Sequence, residues 1–142
     1  MYVKQLSVFI ENREGRMEKV TETLAKNNVN IVCISLADTS EYGMLRMIVS
    51  DPEEGKRVLK EEGFSAMLTD VVGVKLPHYF GALNKLTREM SALGLNIEYM
   101  YAFTSGGDNA SIIIKSSDNV KALDAVKNAG LSLVVPEEAY SL

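Results

Sequence analysis

Gly15 and Gly81 stand 66 positions apart, and the same step carries Asn30-Ile31 onto Asn96-Ile97. Each glycine follows a strand-like run and precedes a helical one, so a repeated unit organises the chain. Further on the step becomes 67, taking Asp51 to Asp118 and Gly63 to Gly130. The single added residue falls around Ser105-Gly106-Gly107-Asp108, and an insertion there belongs in a loop. A chain of 142 residues, 46% of them hydrophobic, can form one ordinary domain or two very small ones, and the repeat selects the second, with modules at 1–69 and 70–142.

In the first copy, Leu6, Val8 and Ile10 alternate with mostly polar residues between Val3 and Glu11, the period-two pattern of a half-buried strand, with Val3 and Phe9 on its other face. Gly15 then opens a helix. Met17, Val20, Thr21 and Leu24 recur at three-and-four spacing, while Glu18, Lys19, Glu22 and Lys26 take the other side, so one stripe faces a core. Asn27-Asn28 stops that helix. A strand from Ile31 to Leu36 follows, then a turn through Asp38-Thr39-Ser40-Glu41 and a strand from Tyr42 to Val49. Asp51-Pro52-Glu53-Glu54 reads as a helix start, with an N-cap acceptor, proline in the first helical position and Glu54 placed to complete a capping box. Val58 and Leu59 point inward, and Gly63 supplies a left-handed C-terminal cap. Phe64 to Leu76 is extended, with Asp70 marking where one strand ends and the next begins.

The second copy repeats these signals. Leu83, Leu86, Thr87, Met90 and Leu93 mark the helix after Gly81; Val120, Leu123 and Val126 mark one capped by Asp118; Leu131 to Val135 supplies the last strand. Each copy therefore runs β-α-β-β-α-β in roughly 70 residues, the order of the ferredoxin-like motif. The expected class is α+β, each repeat a four-stranded antiparallel sheet with two helices on one face. Such a unit keeps an open face and exposed edges, a reason for units to pair.

At these positions the chain resembles a tandem pair of ACT domains, small-molecule-binding regulatory modules attached to many enzymes of amino-acid metabolism. Asn12, Gly15, Met17, Asn30 and Ile31 match the family pattern in the first copy, and Gly81, Leu83, Asn96 and Ile97 in the second, with Pro77 ahead of the loop. The resemblance implies that the strand-to-helix loops contact the ligand: Asn12, Arg13, Glu14, Gly15, Arg16 and Met17 in one, His78, Tyr79, Phe80, Gly81, Ala82 and Leu83 in the other. It further implies an amino acid held between paired modules, near one module's loop and the partner's second strand at Asn30-Ile31 or Asn96-Ile97. No cofactor and no metal are implied; the expected partners are a second copy of the chain and an enzyme of amino-acid metabolism. The physics agrees, because helix N-terminal amides favour a carboxylate, glycine allows close approach, and an Asn side chain both donates and accepts. The second copy departs from the first where His78 replaces Asn12 and Tyr79-Phe80 replaces Arg13-Glu14, so the two sites need not be equivalent.

Other function classes fare worse. With 15 Lys and Arg against 19 Asp and Glu, interleaved along the chain, there is no concentrated basic surface for nucleic acid, even though RNA-binding modules share this topology. No apolar run approaches the roughly 20 residues that span a bilayer, and Met1-Tyr2-Val3-Lys4 leads straight into a strand pattern, so the cytoplasm is expected. Cys33 is the only cysteine, which excludes an internal disulfide, and it reads as a small buried apolar side chain. His78 is the only histidine; a small enzyme on a ferredoxin-like scaffold using His78 is the alternative, although no nucleophile, base and orienting group recur at a recognisable spacing. Asp51 and Asp118 read as helix caps, not as a carboxylate pair. Gly15 and Gly81 also fit a purely conformational role in tight turns, and Tyr99 and Tyr101, on one strand face, fit either a pocket wall or a packed interface.

Overall fold

The first strand, β1 (Val3–Glu11), takes shape as the alternation requires in the computed structural model, which describes residues 2–38, 41–103 and 110–141. Leu6, Val8 and Ile10 are buried on one face. After it come α1 (Arg16–Lys26), β2 (Ile31–Asp38), β3 (Tyr42–Val49), α2 (Pro52–Glu61), β4 (Ser65–Leu76), α3 (Ala82–Ala92), β5 (Ile97–Phe103), β6 (Ala110–Ser116), α4 (Asn119–Asn128), β7 (Ser132–Leu133) and α5 (Pro136–Tyr140). Lys4–Thr69 and Asp70–Tyr140 form two compact units, and Val3 belongs with the second. The expected turn residues Thr39 and Ser40, and the insertion around Ser105-Gly106-Gly107-Asp108, lie outside the described residues.

In the amino-terminal unit the strands lie in the order β2-β3-β1-β4, with β3 antiparallel to both β1 and β2. Leu6 and Val8 of β1, Leu45 and Met47 of β3, Val20 and Leu24 of α1, and Val58 and Leu59 of α2 share one core. The other face of β1 buries polar groups instead: Gln5 Nε2 donates to Ser7 Oγ at 2.9 Å, and Ser7 Oγ lies 3.1 Å from Thr69 Oγ1. Mutual pairing is what makes their burial tolerable.

The carboxy-terminal unit repeats the order as β7-β4-β6-β5, β4 being antiparallel to both β6 and β7 and β6 to β5. Val72, Val74, Leu86, Met90, Ile112, Ile114, Ala125 and Val126 form its core. Both units are α+β and ferredoxin-like, as the element order requires.

Details differ from the sequence reading for identifiable reasons. β4 runs unbroken through Asp70, because Ser65–Leu76 contains no proline and its one glycine, Gly73, serves packing: a Cβ there would lie 3.0 Å from the Cβ of Val134. Asp51 caps α2 by accepting from the Glu54 amide at 3.1 Å, but both Glu54 oxygens are taken by Arg57, at 2.7 and 2.6 Å, and not by a closed capping box. In α1 the buried threonine is Thr23, not Thr21. In α4 the inward residues are Ala122, Ala125 and Val126, with Val120 exposed and Leu123 half-buried. The last strand shrinks to Ser132–Leu133 and gives way to the short helix α5.

Two substitutions test this packing. Gly73→Ala forces apart a contact already closed by the hydrogen bond from the Val134 N–H to the Gly73 carbonyl (2.8 Å), and is expected to destabilise by about 1–3 kcal/mol in denaturant unfolding. Asp118→Ala removes the acceptor for the Lys121 amide (3.1 Å) and is expected to cost about 1 kcal/mol by the same measurement.

Candidate functional site

Four helices of ten or eleven residues carry the two units, and their N-termini fall into two kinds. α2 and α4 are closed by Asp51 and Asp118, whose side chains accept first-turn amides. α1 and α3 begin instead at Gly15 (φ 82°, ψ −13°) and Gly81 (φ 89°, ψ 0°), and no side chain caps either. Only glycine adopts this left-handed conformation without penalty, and lacking a side chain it leaves the first turn without a side-chain cap, although in α3 the Ala82 amide donates to the Tyr79 carbonyl. The sequence-predicted loops are therefore the two open helix ends.

In the first loop the Asn12 amide donates to the Glu41 carbonyl (3.0 Å), tying the loop to the start of the strand hairpin's returning arm. Asn12, Arg13, Glu14 and Gly15 are exposed, and Arg13 pairs with Glu11 at 2.7 Å. Arg16 turns away from solvent: its guanidinium lies 4.5 Å from the centroid of the Phe64 ring, and its Nε is buried without a hydrogen-bond partner among the described residues. Met17 packs against the core.

The second loop is held by Tyr79 N–H to the Pro77 carbonyl (3.0 Å) and Ala82 N–H to the Tyr79 carbonyl (3.3 Å). His78, Tyr79 and Leu83 are exposed in part, Phe80 fully, and Ala82 is buried. With Leu76, Pro77, Gly81 and Asn84 these residues line a groove of about 750 Å³. Asn84 was not anticipated; nothing in the repeat distinguishes it.

The second-strand residues serve the backbone first. The Asn30 amide donates to Ser50 Oγ (2.9 Å) and the Ser50 amide returns to the Asn30 carbonyl (2.9 Å); Asn96 and Ser117 repeat this clasp at 3.1 and 3.0 Å. Ser50 and Ser117 keep the 67-residue step, so the sequence carried that signal unread. Asn30 and Ile31 also line a depression of about 400 Å³ with Thr21, Ala25, Asn28 and Val29. An eleven-residue α1 spans about 16 Å between the Gly15 loop and Asn30, and α3 equally separates Gly81 from Asn96, so neither unit joins its own loop to its own second-strand residues.

Tyr99 and Tyr101 are half-buried. So is Cys33, for which the sequence pattern led to a buried apolar side chain. Burial nevertheless pushes its thiol up to about 11. Among the described residues no group of His, Cys, Asp and Glu is placed to hold a metal ion, and no helix is long and apolar enough to cross a membrane.

The family model of the ACT domain pair matches residues 1–141. The chain belongs to this family. The pair is 40% identical to protein BT0572 from Bacteroides thetaiotaomicron, whose crystal structure matches with a TM-score of 0.92 over 100% of this chain and 98% of that one. The ligand-free regulatory subunit of aspartate kinase from Thermus thermophilus is 20% identical, with a TM-score of 0.62 over 90% of this chain and 93% of that one. The corresponding subunit from Thermus flavus is 23% identical, with a TM-score of 0.61 over 89% and 92%. At those identities the likeness to the kinase subunits is one of fold. None of the curated proteins matches the chain.

Because a Cβ on Gly15 or Gly81 would meet nothing within 4 Å, Gly15→Ala and Gly81→Ala test the backbone alone. Each is expected to lower stability by about 1–2 kcal/mol, read from urea unfolding. For Cys33, the raised thiol leaves little thiolate, so alkylation by iodoacetamide at pH 8 is expected to run at least about tenfold slower in the folded than in the unfolded protein, followed by mass spectrometry.

Proposed function

We propose that this ACT pair is a non-catalytic, cytoplasmic amino-acid sensor in which each unit serves as one module, 1–69 and 70–142, and ligand is held where modules pair. The observation that carries the reading is the division of helix ends: two are capped by aspartate, while the two at the loops are left open behind a left-handed glycine. An open first turn suits a carboxylate, and the neighbouring Asn12 or His78 can meet the ammonium group or the side chain.

The separation of loop from second strand supports assembly as a homodimer. β1 and β2 run parallel, each being antiparallel to β3, so the Gly15 loop lies toward the end where β2 finishes. β2 is terminal in its sheet; pairing it antiparallel with β2 of a second copy sets the partner copy's Asn30-Ile31 beside that loop. Each ligand then touches two chains, and binding favours the paired state by its differential affinity. The regulatory subunits of aspartate kinase share this fold, which supports an output through an enzyme of amino-acid metabolism.

The test is thermal unfolding with each free amino acid in turn, followed by calorimetry. A ligand present at about 100 times its dissociation constant is expected to stabilise by roughly 2.7 kcal/mol and raise the midpoint, with Asn12→Ala and His78→Ala weakening binding. A folded protein whose midpoint no amino acid moves would falsify the sensor reading.

A further inference from the structure

The two loops share a backbone and little else. Gly15 and Gly81 have φ of 82° and 89°, and the helical bonds that follow, Lys19 N–H to the Gly15 carbonyl and Lys85 N–H to the Gly81 carbonyl, measure 3.0 and 2.9 Å. Since Asn12, Arg13, Glu14 and Arg16 make that turn in the first copy, the turn does not require His78, Tyr79, Phe80 and Ala82 in the second. The core does not require the aromatics either: Phe80 is fully exposed and Tyr79 is 53% exposed. Adjacent exposed rings of this size mark a surface that something covers.

The wall they belong to has a definite chemistry. None of the residues lining the groove of about 750 Å³ is Asp, Glu, Lys or Arg, and the volume suits a small molecule. Where Arg16 crosses Phe64 in the first unit, the second has Ala82, a short buried side chain in the groove wall. The helix behind also differs: α1 has Glu18 in its first turn, whereas α3 has no acidic residue there. The second loop thus offers aromatic faces beside an open helix end with no carboxylate in its first turn. The first loop offers exposed charges.

On the amino-acid-binding reading above, we infer that the second loop selects a free amino acid with a large, planar, apolar side chain, its ring against Phe80 and Tyr79 and its carboxylate at the first turn of α3. A charged side chain meets no counter-charge in that wall and loses hydration without compensation, which is the source of the selectivity. An apolar ring gains by covering exposed aromatic surface and by offset stacking.

Calorimetry on the full chain with L-phenylalanine, L-tryptophan, L-leucine, L-aspartate and L-lysine, on wild type and on Phe80→Glu, decides the matter. Position 80 is fully exposed and its counterpart is already Glu14, so the variant is expected to fold, with an unchanged unfolding midpoint in the absence of ligand. L-Phenylalanine or L-tryptophan is expected to bind at least about tenfold more tightly than L-aspartate or L-lysine, and Phe80→Glu to weaken that binding about tenfold. Binding of L-aspartate or L-lysine in preference to the aromatic amino acids overturns this inference and leaves the sensor reading standing. Aromatic binding that Phe80→Glu leaves intact overturns the assignment to the second loop. Absence of binding by all five overturns this inference, and the sensor reading falls with it only if no other free amino acid moves the unfolding midpoint.

Discussion

A strand that must turn into a helix within a few residues needs one position where the backbone bends the left-handed way, and in both units that position is a glycine directly before the helix. Much else follows from it. The turn lays α1 over β1 so that Val20 and Leu24 meet Leu6 and Val8, and lays α3 over β4 so that Leu86 and Met90 meet Val72 and Val74. The same glycine has no side chain with which to cap the helix it starts. One conformational requirement therefore produces both the packed core and an open, positively polarised helix end.

Because the chain contains the unit twice, each copy is a control on the other. Aspartate caps at Asp51 and Asp118, Asn–Ser clasps at Asn30–Ser50 and Asn96–Ser117, and left-handed glycines at Gly63 and Gly130 occur in both, so these belong to the fold. Irregularities in strand pairing recur as well, between Ile31 and Cys33 and between Ile97 and Tyr99. The copies differ along most of their length, and in the loops Arg13, Glu14 and Arg16 align with Tyr79, Phe80 and Ala82. Some of these residues serve the fold, Arg16 across Phe64 and the buried Ala82 among them, whereas Glu14, Tyr79 and Phe80 are exposed.

The proposed sensing requires a surface where two copies can meet, and a terminal strand is such a surface. β2 ends the strand order of its unit, and Ile34 and Leu36 are exposed on it. An edge of this kind is a template for a second chain. A ligand that touches both chains shifts that association only by the difference in its affinity for the paired and unpaired states, so modest binding energy suffices when pairing is finely balanced.

Most of the fold was legible in the sequence because its signals are local. Alternation in Val3–Glu11, proline after Asp51, and glycines at fixed steps each report the conformation of their own neighbourhood, and their repetition gave the element order twice. Sequence also located the two strand-to-helix loops. What it misread turned on competition between plausible partners and faces: β4 continues through Asp70, the Glu54 carboxylate goes to Arg57 three residues on and does not close a capping box, and α4 turns Ala122 and Ala125 inward with Val126. The tertiary structure alone decided that Arg16 lies across Phe64 and that the aromatics at 79 and 80 are exposed over a groove. The reason is physical: a local pattern fixes backbone conformation, whereas side-chain burial is set by what packs against the side chain.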